Sequence, residues 1–274
     1  MFTNIELAGL FKLVVSGGAR GTIETEWFPN MILDSGIQYM LSDTRSFNAI
    51  AFCSVGSSSE PVEPTQVGLV SHIARSALNR DAPTFGWDND GGYNYNVKTI
   101  SFARGAAAGN ISEISMEIAN NSNSPAATWC RALVLDEHGS PTTITVLADE
   151  VLTVTYELRR WFNPPAPHVI QFDNDGETFE TTVSYNQGKN YNSDFIGNSL
   201  GAEIIANGVA VKSQGWAESQ GNPNISSMDA LSVSVSGSLF PPIYSYATFT
   251  PPIPKTNEFT VSIEQTFSLT RRAP

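Results

Sequence analysis

The residues of this chain whose types and spacing could do chemistry are its paired carboxylates. Asp88 with Asp90, Asp149 with Glu150, Asp173 with Asp175 and Glu177 with Glu180 each place two acids within three positions. Two carboxyls held about 5–9 Å apart across a sugar can cleave a glycosidic bond, provided an apolar pocket raises the pKa of one. Trp87, beside Asp88, adds a ring on which a sugar could stack. All four pairs nevertheless lie in hydrophilic loops or turns, where water keeps both members ionised. The Asp-Asn-Asp-Gly runs at 88–91 and 173–176 also cluster oxygen ligands as a calcium loop does. Neither continues to the further acids and closing bidentate Glu that such a loop needs, so both read as tight turns in which Gly takes a positive φ.

Other chemistries find less. His72, His138 and His168 are far apart, and none has a cysteine beside it, whereas a zinc site needs three or four ligands at short paired spacings. There is no G-x-S-x-G elbow, phosphate loop or dinucleotide fingerprint. Cys53 and Cys130 sit in apolar, strand-like runs (IAFCSV and TWCRALVL) and read as reduced core residues rather than a bridge. No catalytic residue, metal ligand or cofactor is assigned, and the chain reads as non-enzymatic.

The elements that would position these groups follow from composition and periodicity. Of 274 residues, 41% are hydrophobic and only 15% charged, so Ser, Thr, Asn and Gly must supply most of the polarity. A net charge of −12 makes the chain a poor partner for a phosphate backbone and argues against nucleic acid. No apolar run approaches the ~18 residues of a membrane span, which argues against membrane insertion. The N-terminus lacks a basic leader and a small-residue cleavage site, so the expected route is cytoplasmic synthesis.

Period-two alternation dominates. Leu152, Val154, Tyr156 and Leu158 alternate with Thr153, Thr155, Glu157 and Arg159. Ile114, Met116 and Ile118 repeat the pattern, as do Phe259, Val261, Ile263, Phe267 and Leu269 near the C-terminus. This predicts antiparallel strands with one buried face and one wet, hydroxyl-rich face. Turn signals at 16–21, 88–92, 136–141 and 173–176 separate the runs. Asn30–Leu41 spaces its apolar residues helically, and Gly68–Asn79 suits helix or strand, with strand favoured. The expected fold is all-β: two antiparallel β-sandwich-like domains with one short helix in the first. The proline run Asn163–Pro167 divides residues 1–163 from 168–274. A second proline cluster, 241–254, is expected as an exposed loop or arm carrying Tyr244, Tyr246 and Phe249.

Two stretches resemble structural proteins of tailed bacteriophages. In Glu26–Leu69, EWFPNMILDSGIQYML is followed by AFCSVGSSSEPVEPTQVGL. This is similar to an aromatic-rich strand leading to N-x-I-x-D-x-G-(I/L), then a V-G-(S/T)-rich strand end and a proline-punctuated loop. Ala132–Arg160, ALVLDEHGSPTTITVLADEVLTVTYELRR, is similar to a hairpin of phage tail-associated and fibre proteins. The resemblance implies a virion component, assembled in the host cytoplasm at the tail, baseplate or neck as symmetric copies docked to other virion proteins. The arm residues Tyr244, Tyr246 and Phe249 would be a docking element. The alternative is a host-surface receptor-binding module recognising a glycan or pilus through C-terminal loops, with Tyr191 and Trp216 supplying stacking. A capsid decoration protein and a glycan depolymerase are the remaining alternatives.

Overall fold

The computed structural model describes residues 2–42, 50–77, 84–119, 125–163, 166–174, 176–189, 201–206, 209–213, 217–218, 227–235, 243–254, 262–263 and 266–272. Its described residues form antiparallel sheets, as the alternation predicts, with one short helix among them. The first strands are β1 (Phe2–Ser16), β2 (Ile23–Glu24), β3 (Phe28–Pro29) and β4 (Met31–Ile32), followed by helix α1 (Asp34–Ser42). Then come β5 (Ile50–Gly56), β6 (His72–Ala77), β7 (Thr84–Asp88), β8 (Tyr93–Ser101), β9 (Gly109–Ile111) and β10 (Glu113–Ala119). Next are β11 (Pro125–Leu133), β12 (Ile144–Val146), β13 (Val151–Asn163), β14 (His168–Asn174), β15 (Glu177–Lys189) and β16 (Gly201–Ala206). The chain ends with β17 (Val209–Ser213), β18 (Ala217–Glu218), β19 (Ser227–Val235), β20 (Ile243–Pro254), β21 (Ser262–Ile263) and β22 (Thr266–Arg271).

Contacts divide the chain into two compact units, 6–161 with 269–274, and 162–268 with 1–5. The second unit begins next to the proline run, but both chain ends change sides relative to a single cut there. The reason for the C-terminal exchange is pairing: β22 adds to the edge of β1.

In the first unit one sheet runs β2-β1-β13-β8-β7, with β3 and β22 also pairing β1. Its buried face is what alternation predicts. Leu7, Phe11, Leu13 and Val15 of β1 and Leu152, Val154, Tyr156 and Leu158 of β13 are at most 4% exposed. The second sheet runs β4-β11-β10-β5-β6. Side chains of the two sheets meet where Trp129 Nε1 donates to Tyr156 Oη at 2.7 Å and Lys98 Nζ donates to the Ile50 carbonyl at 2.7 Å. At Asn30 the chain passes from one sheet to the other: Phe28–Pro29 pairs with β1, Met31–Ile32 with β11. The helix expected over Asn30–Leu41 therefore starts only at Asp34, because an open edge of β11 claims Met31 and Ile32 for a ladder. Of Gly68–Asn79, the described residues 68–77 supply strand over His72–Ala77.

A second departure concerns β10. Its two faces were expected to be one buried and one wet, yet Glu113, Ser115 and Glu117 are buried as well as Ile114, Met116 and Ile118. The loop 57–71 meets this outer face at Glu113, and Arg75 of β6 binds Glu117.

The second unit contains a six-stranded sheet, β14-β15-β20-β19-β16-β17, and a two-stranded ribbon, β18-β21. The expected arm 241–254 is corrected here. Ile243–Pro254 is an interior strand, paired to β15 on one side and β19 on the other. Residues 243–250 contain no proline, so the ladder to β15 is unbroken through Thr250, and Pro251, Pro252 and Pro254 fall at the strand's end. Phe249, expected to be exposed, is 3% exposed opposite the buried Val183. The backbones of Tyr244 and Tyr246 lie in the same ladders. Tyr191 and Trp216 lie outside the described residues, as do Phe259 and Val261 of the C-terminal alternation. The rest of that alternation is divided between β21 and β22, which pair with different strands.

Candidate functional site

Two of the acids read from sequence, Asp88 and Glu150, hold turns, as does Asp136. Asp88 accepts hydrogen bonds from the Gly91 amide at 2.8 Å and from Tyr93 Oη at 3.0 Å. The Gly91 amide, the Tyr93 hydroxyl and the Arg159 charge keep its carboxyl below the usual range. Asp136 accepts from the amides of Ser140 and His138, which act in the same direction. Glu150 is fully buried rather than solvated. Arg20 binds both its carboxylate oxygens, at 2.6 and 2.7 Å, and the Leu147 amide donates to one of them at 2.8 Å. These partners, the Arg20 bond foremost, lower its pKa. Each of the three is therefore ionised, the opposite of the raised acid a glycosidase needs. Glu177 and Glu180 are exposed, and Asp175 lies outside the described residues. Among the described residues, no group of three or more His, Cys, Asp or Glu could hold a metal ion.

The cysteines are free and buried. Both are in register with Met116, one on β5 and the other on β11, so β10 lies between them. Two strand spacings of about 4.8 Å exceed the ~7 Å Cα limit for a disulfide. Burial raises both thiols, that of Cys130 to about 12, so neither is a reactive thiolate.

The strongest constellation was not foreseen. Glu113 on β10 and Arg131 on β11 are each fully buried, with Arg131 Nε donating to Glu113 Oε2 at 2.9 Å. Glu113 accepts three backbone amides besides: Ser71 at 2.7 Å, Val70 at 3.1 Å and Ser58 at 3.4 Å. Arg131 gives its other protons to the Pro61 carbonyl, the Glu60 carbonyl and Gln66 Oε1. Gln66 in turn accepts the Glu63 amide and donates to the Pro61 carbonyl. A buried ion pair is tolerable only when its remaining donors and acceptors are filled, and here the partners come from the loop 57–71.

The loop is tied at its far side too. The Asp34 amide donates to the Pro64 carbonyl, and Thr128 Oγ1 donates to the Val67 carbonyl at 2.7 Å. Gly56 opens it because a Cβ there would lie 2.3 Å from the Ser71 carbonyl and 2.5 Å from Glu113 Oε1. Among exposed polar residues (Ser57, Ser59, Glu60, Glu63 and Thr65), the loop presents two valines outward: Val67 is 80% exposed and Val70 is 50% exposed. A long loop is thereby held in one conformation with two valines facing solvent. One sequence signal could have exposed the site. In a chain with few charges, Arg131 interrupts the apolar run Trp129–Leu135, where an unpaired charge would be prohibitive.

No helix among the described residues is long and apolar enough to cross a membrane. No family model matches the chain, and neither a curated protein nor a solved structure does so.

Proposed function

We propose that this chain is a structural component of a tailed-bacteriophage particle, at the tail, baseplate or neck, that works by docking to neighbouring virion proteins in symmetric copies. The observation that carries the reading is the pinned loop 57–71. Its inner side is tied to Glu113 and Arg131, and its outer side offers Val67 and Val70. Apolar side chains on a rigid support lose little entropy on being covered, which is how a docking surface gains affinity. The resemblance supports the same reading from another direction. The Glu26–Leu69 stretch contains Gly56, Pro61, Pro64 and Gln66 of that loop, and Ala132–Arg160 contains the buried Glu150.

The test uses particles produced by the genome that encodes the chain. Mass spectrometry of purified particles should find it in a fixed ratio to the other virion proteins. A chain carrying Val67→Glu with Val70→Glu should fold, by circular dichroism, yet fail to enter particles. Absence of the natural chain from particles overturns the assignment. Normal incorporation of the double variant overturns the role given to the loop.

A further inference from the structure

The first unit does not close on its own stretch of chain. Its last strand comes from the C-terminal residues, after the chain has passed through 162–268. Beyond its pairing with β1, the tip of that strand is gripped by two arginines. The Arg272 amide donates to the Leu7 carbonyl at 2.8 Å. Its guanidinium reaches Glu6 Oε2 at 2.8 Å and lies over the Trp161 ring, 4.3 Å from the centroid. The Arg271 guanidinium donates to the Ile32 carbonyl and to Asp34 Oδ1. One arginine thus grips β1 and β13, and the other grips β4 and the start of α1.

Beside these contacts lies a cleft of about 500 Å³, lined by Leu7, Met31, Leu133 and Leu135 and bounded by Arg271 and Arg272. Thr270, Arg271 and Arg272 are themselves exposed. Its ion pairs are open to solvent: the side chains are 33% and 53% exposed for Arg271 and Asp34, and 45% and 28% for Arg272 and Glu6. Such pairs are weak and are screened by salt, and chain ends held this way open locally while the sheets beneath stay intact.

We propose that residues 270–272 form a salt-releasable strap at this apolar cleft, closed by Arg271 and Arg272 and opened by screening or reversing their charges, without unfolding of the sheets. The claim is independent of any place in a particle.

Hydrogen exchange on the full chain, read at the C-terminal peptide that carries the Arg272 amide, tests it. Raising salt from about 20 mM to about 0.5 M should speed exchange there roughly tenfold and raise fluorescence of a dye that binds apolar clefts. The β10–β11 peptides should not change. Arg272→Glu should do the same at low salt, and adding Glu6→Arg should return most of the protection by restoring an opposite-charge pair. Exchange indifferent to both salt and Arg272→Glu overturns the proposal, because the strap is then held by something else. Loosening of β10–β11 in Arg272→Glu, unrelieved by Glu6→Arg, also overturns it, because the arginine is then part of the core.

Discussion

Arg131 and Glu113 are so closely fitted that removing either should be worse than removing both. Arg131→Met leaves a buried carboxylate without its cation, which should cost about 3–5 kcal/mol. Pairing it with Glu113→Leu should recover much of that in urea unfolding, while amide exchange at Val70 and Ser71 stays fast because their acceptor is gone. Lys98 makes a different prediction. Desolvation lowers its pKa to about 7, so above that pH the folded protein has released a proton that the unfolded chain still binds. Stability should therefore rise between about pH 7 and pH 8.5, and Lys98→Met should abolish that slope in pH-dependent denaturation. At higher pH the sign reverses. Cys53 and Cys130 stay protonated when folded but ionise when unfolded, which draws the equilibrium toward the unfolded chain.

Elements here win or lose by what lies next to them. Gly36 is a poor helix residue by propensity, worth about 1 kcal/mol against alanine. Yet a Cβ there would stand 2.5 Å from the Trp129 carbonyl, because α1 lies directly on β11. Gly36→Ala should therefore lower the thermal midpoint rather than raise it, and a rise would mean the helix can shift away from β11. The same contest explains how much was legible beforehand. β13 was readable in full, since Leu152 to Leu158 alternate without exception and one face is buried. The start of α1 was not, because Met31 and Ile32 suit a helix or a strand and only the free edge of β11 decides between them. The β20 strand was hidden by its prolines, which mark its end rather than a loop. Of the candidate site, Gly56, the prolines and Gln66 stood out as a punctuated loop, but nothing local said that a carboxylate from β10 and a guanidinium from β11 would fix it.

For the whole molecule, the division into two units predicts two calorimetric transitions. Arg131→Met should lower one and leave the other in place. A single transition that moves as one would show the units to be thermodynamically inseparable. The sequence by itself determined the class of fold, since a two-residue period rich in Thr and Val suits a pleated sheet and little else. Low charge and scattered histidines likewise left no metal or nucleotide motif to find. For β8, the tertiary structure alone decided which face was inside. β8 carries Tyr93, Tyr95 and Val97 on one face and Asn94, Asn96 and Lys98 on the other, and hydrophobicity would bury the first set. Its register with β13, placing Lys98 opposite Tyr156 and Asn96 opposite Leu158, buries all of the second set, whereas of the first set Tyr93 is buried and Tyr95 and Val97 are half-buried. Alternation specifies that a strand has two faces. Only pairing with a neighbour, which lies far away in the chain, specifies which of them meets the core.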